Sequence, residues 1–89
     1  MERLHILIFG KVIDVGFRSF VKYHADLLNV KGYVQNKGRE VELVLEGNPE
    51  SLKQLIAICR KGPPRSRVIK INIEKEDFKN EFNTFEIRY

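Results

Sequence analysis

The stretch Leu4-His5-Ile6-Leu7-Ile8-Phe9-Gly10-Lys11-Val12-Ile13-Asp14-Val15-Gly16-Phe17-Arg18-Ser19-Phe20-Val21 changes its hydrophobic period halfway along. Leu4 to Phe9 is apolar except for His5, long enough for a strand and too short for a helix. An apolar run without clean alternation predicts a strand with neighbours on both edges. From Phe17 the spacing is different: Phe17, Phe20, Val21, His24, Ala25 and Leu28 fall at i, i+3, i+4, i+7, i+8 and i+11. That is one face of a helix of about three turns, with Phe17 and Phe20 in the core. The helix is predicted to end near Asn29, before β-branched Val30 and Gly32.

The rest of the chain supplies partners for this strand and helix. Gly32-Tyr33-Val34-Gln35-Asn36 reads as a short strand, Lys37-Gly38-Arg39 as a turn, and Val41, Leu43 and Leu45 then alternate with Glu42, Val44 and Glu46. Two strands about a tight glycine-containing turn make a hairpin. Asn48-Pro49-Glu50 has the chemistry of a helix start: a capping side chain, a proline at the first helical position and an acid at the positive end. Leu52, Leu55, Ile56 and Cys59 form its buried face, and Gly62-Pro63-Pro64 stops it. Val68 to Ile73 is a β-branched strand with Ile69, Ile71 and Ile73 on one face, and Lys75 to Asn83 reads as a polar loop. Phe85, Ile87 and Tyr89 alternate in a last short strand. The order predicts an α+β, ferredoxin-like βαββαβ sandwich: an antiparallel sheet with two helices on one face, plus a short C-terminal strand.

Composition bounds the function without choosing it. Eighty-nine residues predict a single domain spanning 1–89. The 43% hydrophobic and 31% charged content is that of an ordinary globule, and the net charge of +4 favours anionic partners without naming one. One cysteine, Cys59, leaves no internal disulfide, and no apolar run approaches the roughly 18–20 residues that span a bilayer. The expectation is a cytoplasmic monomer with no membrane association.

The loop between the first strand and first helix is where chemistry is expected. A helix N-terminus leaves its first N–H groups without intrahelical partners, and the aligned peptide dipoles place partial positive charge there. Gly10 and Gly16 let the connection curl so that these donors converge on one anion. Arg18, in the first helical turn, adds a planar fork of donors. A cation at this end opposes the helix dipole, which itself argues for an anion nearby.

The residues Gly10-Lys11-Val12-x-x-Val15-Gly16-Phe17-Arg18, followed by Gly32-Tyr33-Val34-Gln35-Asn36, resemble the acylphosphatase signature, and the element order matches that family along nearly the whole chain. The resemblance implies hydrolysis of a carboxyl-phosphate anhydride to carboxylate and phosphate, with no metal, cofactor or covalent intermediate. Carried over by position, Arg18 and the amides of Ile13, Asp14, Val15, Gly16 and Phe17 hold the phosphoryl oxygens. Asn36 orients the attacking water. The sequence departs from the family pattern at Ile13-Asp14, where Gln-Gly is usual, and in a turn after Asn36 that is one residue shorter. A carboxylate about 7 Å from the phosphoryl group at an effective dielectric near 20 repels it by roughly 2.4 kcal/mol. A phosphate-binding module without turnover is therefore the alternative expectation.

Three other motifs are set aside. Cys59-x5-Arg65 has the spacing of cysteine-dependent phosphatases, but it falls at a helix end of the wrong dipole sign. Pro63 and Pro64 also remove two amide donors, so Cys59 is read as a buried core thiol. Lys31-Gly32-Tyr33-Val34 begins like an RNA-recognition strand without the aromatics that would stack bases, so nucleic acid is not an expected partner. His5 and His24 lack a third ligand at metal spacing and are read as partly buried, hydrogen-bonded side chains.

Overall fold

A computed structural model describes residues 1–89 as β1 (Glu2–Lys11), α1 (Phe17–Leu27), β2 (Lys31–Lys37), β3 (Glu40–Gly47), α2 (Pro49–Lys61), β4 (Arg67–Glu76) and β5 (Phe85–Arg88). The sheet order is β4-β1-β3-β2-β5, so β1 does have a neighbour on each edge. Leu4, Ile6 and Ile8 of β1, Val34 of β2 and Val41, Leu43 and Leu45 of β3 point to one side. There they meet Phe17, Val21 and Ala25 of α1 and Leu52, Leu55 and Cys59 of α2 in one core. Burial pushes the Cys59 thiol up to about 12, where it behaves as a small hydrophobe.

The helix ends follow local chemistry. Asn48 Oδ1 accepts from the Glu50 amide at 3.0 Å and Pro49 opens α2, as its sequence predicts. At the end of α1, Asn29 takes the left-handed conformation (φ 56) and the Val30 amide folds back to the Ala25 carbonyl at 2.9 Å. The terminator is therefore Asn29, with Val30 and Gly32 already beyond the turn.

Two expectations about the sheet need correction. The sheet is mixed, because β5 lies parallel to β2, with Gly32 opposite Phe85 and Val34 opposite Ile87. A long connection from the β4 edge to the β2 edge allows the last strand to enter in either sense. Ile69, Ile71 and Ile73 do not share a face: the register slips between Phe9 and Gly10, passing from Lys70 to Val68. This bulge leaves Ile69 74% exposed and turns Val68 toward the core. Gly10 makes it possible, since a side-chain carbon there would lie 2.1 Å from the Arg67 carbonyl oxygen.

Glu42 and Glu46 alternate with the core residues of β3 but are themselves buried. They sit on the side of the sheet away from the helices, in polar clusters that alternation alone does not reveal. Glu42 accepts from Gln35 Nε2 at 2.6 Å and lies 2.7 Å from His5 Nε2. Glu46 receives the amides of Lys79, Asn80 and Glu81 and pairs with Arg3, which also reaches Glu76 and Glu81. Burial works against the Glu46 charge, yet these amides and the guanidinium outweigh it and hold the carboxyl below its ordinary range. The segment crossing from β4 to β5 is thus clasped to the middle of the sheet. His24 instead packs edge-on against Phe20, with ring centroids 4.7 Å apart.

Candidate active site

β1 and β2 are both antiparallel to β3, and β5 is parallel to β2, so all three run in the same direction. Their C-terminal ends share one edge of the sheet. That places the loop after Lys11, Asn36 near the end of β2, and Tyr89 after β5 at the same edge, beside the start of α1. A cleft of about 80 Å³ forms there. Of the residues singled out from the sequence, Asp14, Gly16, Phe17, Arg18 and Asn36 line it. Ile13 and Val15 do not line it with their side chains. Val15 is buried in the core, Ile13 packs against that core, and both contribute to the loop through their backbone.

The loop has the geometry of an anion cradle. Asp14 has φ 61 and Gly16 φ 77, while their neighbours keep negative φ. Alternation of this kind turns successive N–H groups toward a common concavity. None of the amides from Ile13 to Phe17 donates to another backbone group; the first bond of the helix is Phe20 N–H to the Gly16 carbonyl, at 3.1 Å. No side chain caps α1 either, in contrast to Asn48 on α2. Asp14 thus takes a left-handed conformation that glycine adopts freely, and its side chain is exposed at the cleft. Aspartate is one of the few residues that visits this region at modest cost.

Arg18 is half-buried and pairs with no carboxylate. Its guanidinium carbon lies 4.7 Å from the centre of the Tyr89 ring, within cation–π range. Asn36, opposite Val41 in the hairpin, is on the helix side of β2 with Val34. Its side chain makes no hydrogen bond within the chain. Val12, Ser19 and Tyr89 also line the cleft and were missed in the sequence. Tyr89 could be found only by knowing that β5 runs parallel to β2.

A loop of unpartnered amides, one arginine and one carboxamide around a single small cleft define an α+β protein with one polar site at the start of its first helix. The acylphosphatase sequence model matches residues 4–87. The chain is 40% identical to an acylphosphatase of Syntrophobacter fumaroxidans over 90 residues, covering 99% of this chain and 92% of that one. It is 43% identical to an acylphosphatase of Bacillus velezensis over 91 residues, covering all of both. The crystal structure of acylphosphatase from Bacillus subtilis superimposes with a TM-score of 0.96 at 31% identity, over the full length of both chains. This chain belongs to the acylphosphatase family of enzymes.

Proposed function

We propose that the chain hydrolyses acyl phosphates by direct attack of water on phosphorus. Arg18 and the amides of Ile13, Asp14, Val15, Gly16 and Phe17 hold the phosphoryl oxygens, and the Asn36 carboxamide orients the water in line with the leaving carboxylate. The water oxygen bonds to phosphorus as the bond from phosphorus to the acyl oxygen breaks. Its proton passes to a phosphoryl oxygen or to the departing carboxylate, giving a carboxylic acid salt and inorganic phosphate. An acyl phosphate has a good leaving group, so positioning and charge stabilisation can carry most of the rate. No strong base is needed from Asn36, which is a neutral amide.

The observation that carries this reading is the uncapped start of α1, whose free amides border the same cleft as Arg18 and Asn36. Acetyl phosphate is the test substrate. Arg18→Ala and Asn36→Ala are each expected to lower kcat/KM by about 10²–10³, the usual loss when one preorganised donor to developing charge is removed. In Arg18→Ala the competitive inhibition by inorganic phosphate should also weaken, whereas Asn36→Ala should leave it nearly intact. Phosphate binding by the wild-type chain without turnover of acetyl phosphate would contradict the proposal.

A further inference from the structure

The cleft holds a phosphoryl group and little else, so the acyl half of any substrate must lie outside it. Pockets for whole small molecules run to roughly 300–1,000 Å³, against about 80 Å³ here. Of the concavities in the surface, only one shares a wall with the cleft. It is a groove of about 310 Å³ lined by Gly10, Lys11, Val12, Ile13, Gly38 and Arg39, and Val12 is the residue common to both. Building on the reading of the cleft as a phosphoryl site, we infer that this groove receives the acyl tail, and that Lys11 and Arg39 select tails carrying a second anionic group such as a carboxylate.

The charge arrangement supports that choice. Several cations elsewhere on the sheet are matched: Arg3 meets three carboxylates, Lys37 reaches Glu42 and Arg88 pairs with Glu86. At the groove, Lys11 and Arg39 have no acidic partner within ion-pair distance. Lys11 is also directly opposite Arg67 across the β1–β4 ladder, a like-charge placement that destabilises a sheet unless an anion comes between. Glu40 lies near the turn, its carboxylate oxygen 3.4 Å from where a side-chain carbon on Gly38 would sit, yet it pairs with neither cation. The turn after Asn36 sets the position of Arg39, so it carries the water-orienting residue on one side and the tail-binding cation on the other.

The inference is tested by comparing succinyl phosphate, whose tail ends in a carboxylate, with acetyl phosphate at fixed ionic strength. In the Lys11→Gln/Arg39→Gln double variant the ratio of kcat/KM for succinyl over acetyl phosphate is expected to fall about tenfold, mainly through KM, the scale of two exposed charge contacts. Each single variant should lower the ratio about threefold, which keeps the test available if the double variant folds poorly. Lys53→Gln removes the same charge from the exposed side of α2 and should leave the ratio where it is. An unchanged ratio in the groove variants, or an equal fall in Lys53→Gln, overturns the inference while acetyl phosphate turnover leaves the phosphoryl site standing. Wild-type failure on both substrates would instead remove the phosphoryl reading, and this inference with it.

Discussion

Asp14 puts a carboxylate into the loop that borders the cleft, and the structure separates the backbone consequence from the electrostatic one. The backbone cost is small, because Asp14 adopts the left-handed conformation itself (φ 61). The electrostatic cost remains, because its exposed carboxylate borders the cleft. Asp14→Gly keeps the conformation and removes the charge. Phosphate should therefore inhibit the variant more tightly, by several-fold and up to about tenfold at low salt, with a smaller gain at high salt where the charge is screened. The measurement is the phosphate inhibition constant against acetyl phosphate at two ionic strengths. Unchanged inhibition at both would show that the Asp14 carboxylate exerts no field on the phosphoryl site.

At the scale of elements, the site depends on how β1 ends. The bulge at Ile69 and the close approach of Gly10 to Arg67 set the direction in which the chain leaves the sheet and enters the loop. Gly10→Ala would bring a carbon to 2.1 Å from a backbone oxygen, a contact that only movement of β1 or β4 relieves. Gly16→Ala meets nothing within 4 Å and carries only the penalty of its positive φ, about 1–2 kcal/mol. Thermal unfolding should therefore rank them, with Gly10→Ala the less stable by several degrees, since about 1 kcal/mol moves Tm by roughly 4–8 °C in a domain of this size. Equal Tm values would mean that the bulge is readily repacked.

The elements were also where the sequence was most legible. The change of period at Phe17, the Asn48-Pro49-Glu50 start of α2 and the glycine turn of the hairpin are all local, and each appears where its chemistry requires. What could not be read were features that depend on a partner. Alternation along β4 gives its two faces but not the bulge that exchanges Val68 and Ile69. Alternation along β3 sets Glu42 and Glu46 opposite the core, but their burial needs Gln35, His5, Arg3 and the crossing segment to arrive from elsewhere. The cleft was legible through Arg18, Asn36 and the glycine-bracketed loop. Tyr89 was not, because its place follows from the direction of β5.

For the molecule as a whole, the clasp on Glu46 ties the last third of the chain to the central strand. It thereby holds β5, and with it Tyr89, against the edge that carries Arg18. Glu46, Glu42 and Glu76 all titrate below their ordinary range. Burial opposes the charge at Glu46 and Glu42, but their hydrogen bonds outweigh it; at Glu76 the Arg3 bond is the leading cause. A carboxyl whose folded pKa is depressed stabilises the fold above its unfolded pKa and loses that contribution as pH falls through the folded value. Stability should therefore hold through neutral pH and decline below about pH 4, near and beneath the unfolded carboxyl range. Glu46→Gln should cost about 2 kcal/mol at pH 7, the scale of a hydrogen-bonded charged group. It should also flatten the acid side of the stability–pH curve, read by denaturant unfolding at several pH values. A curve parallel to that of the wild type would place the acid sensitivity elsewhere.

The central claim is that the main-chain N–H groups at the start of α1, with one guanidinium, close around a single phosphoryl group. Its most direct test is a phosphate titration followed by the backbone amide resonances of the uniformly ¹⁵N-labelled chain. Saturable downfield proton shifts concentrated at residues 13–17, and lost in Arg18→Ala, are the predicted result. Saturable shifts centred on another surface, or a wild-type loop whose amides do not respond to phosphate at all, would contradict it.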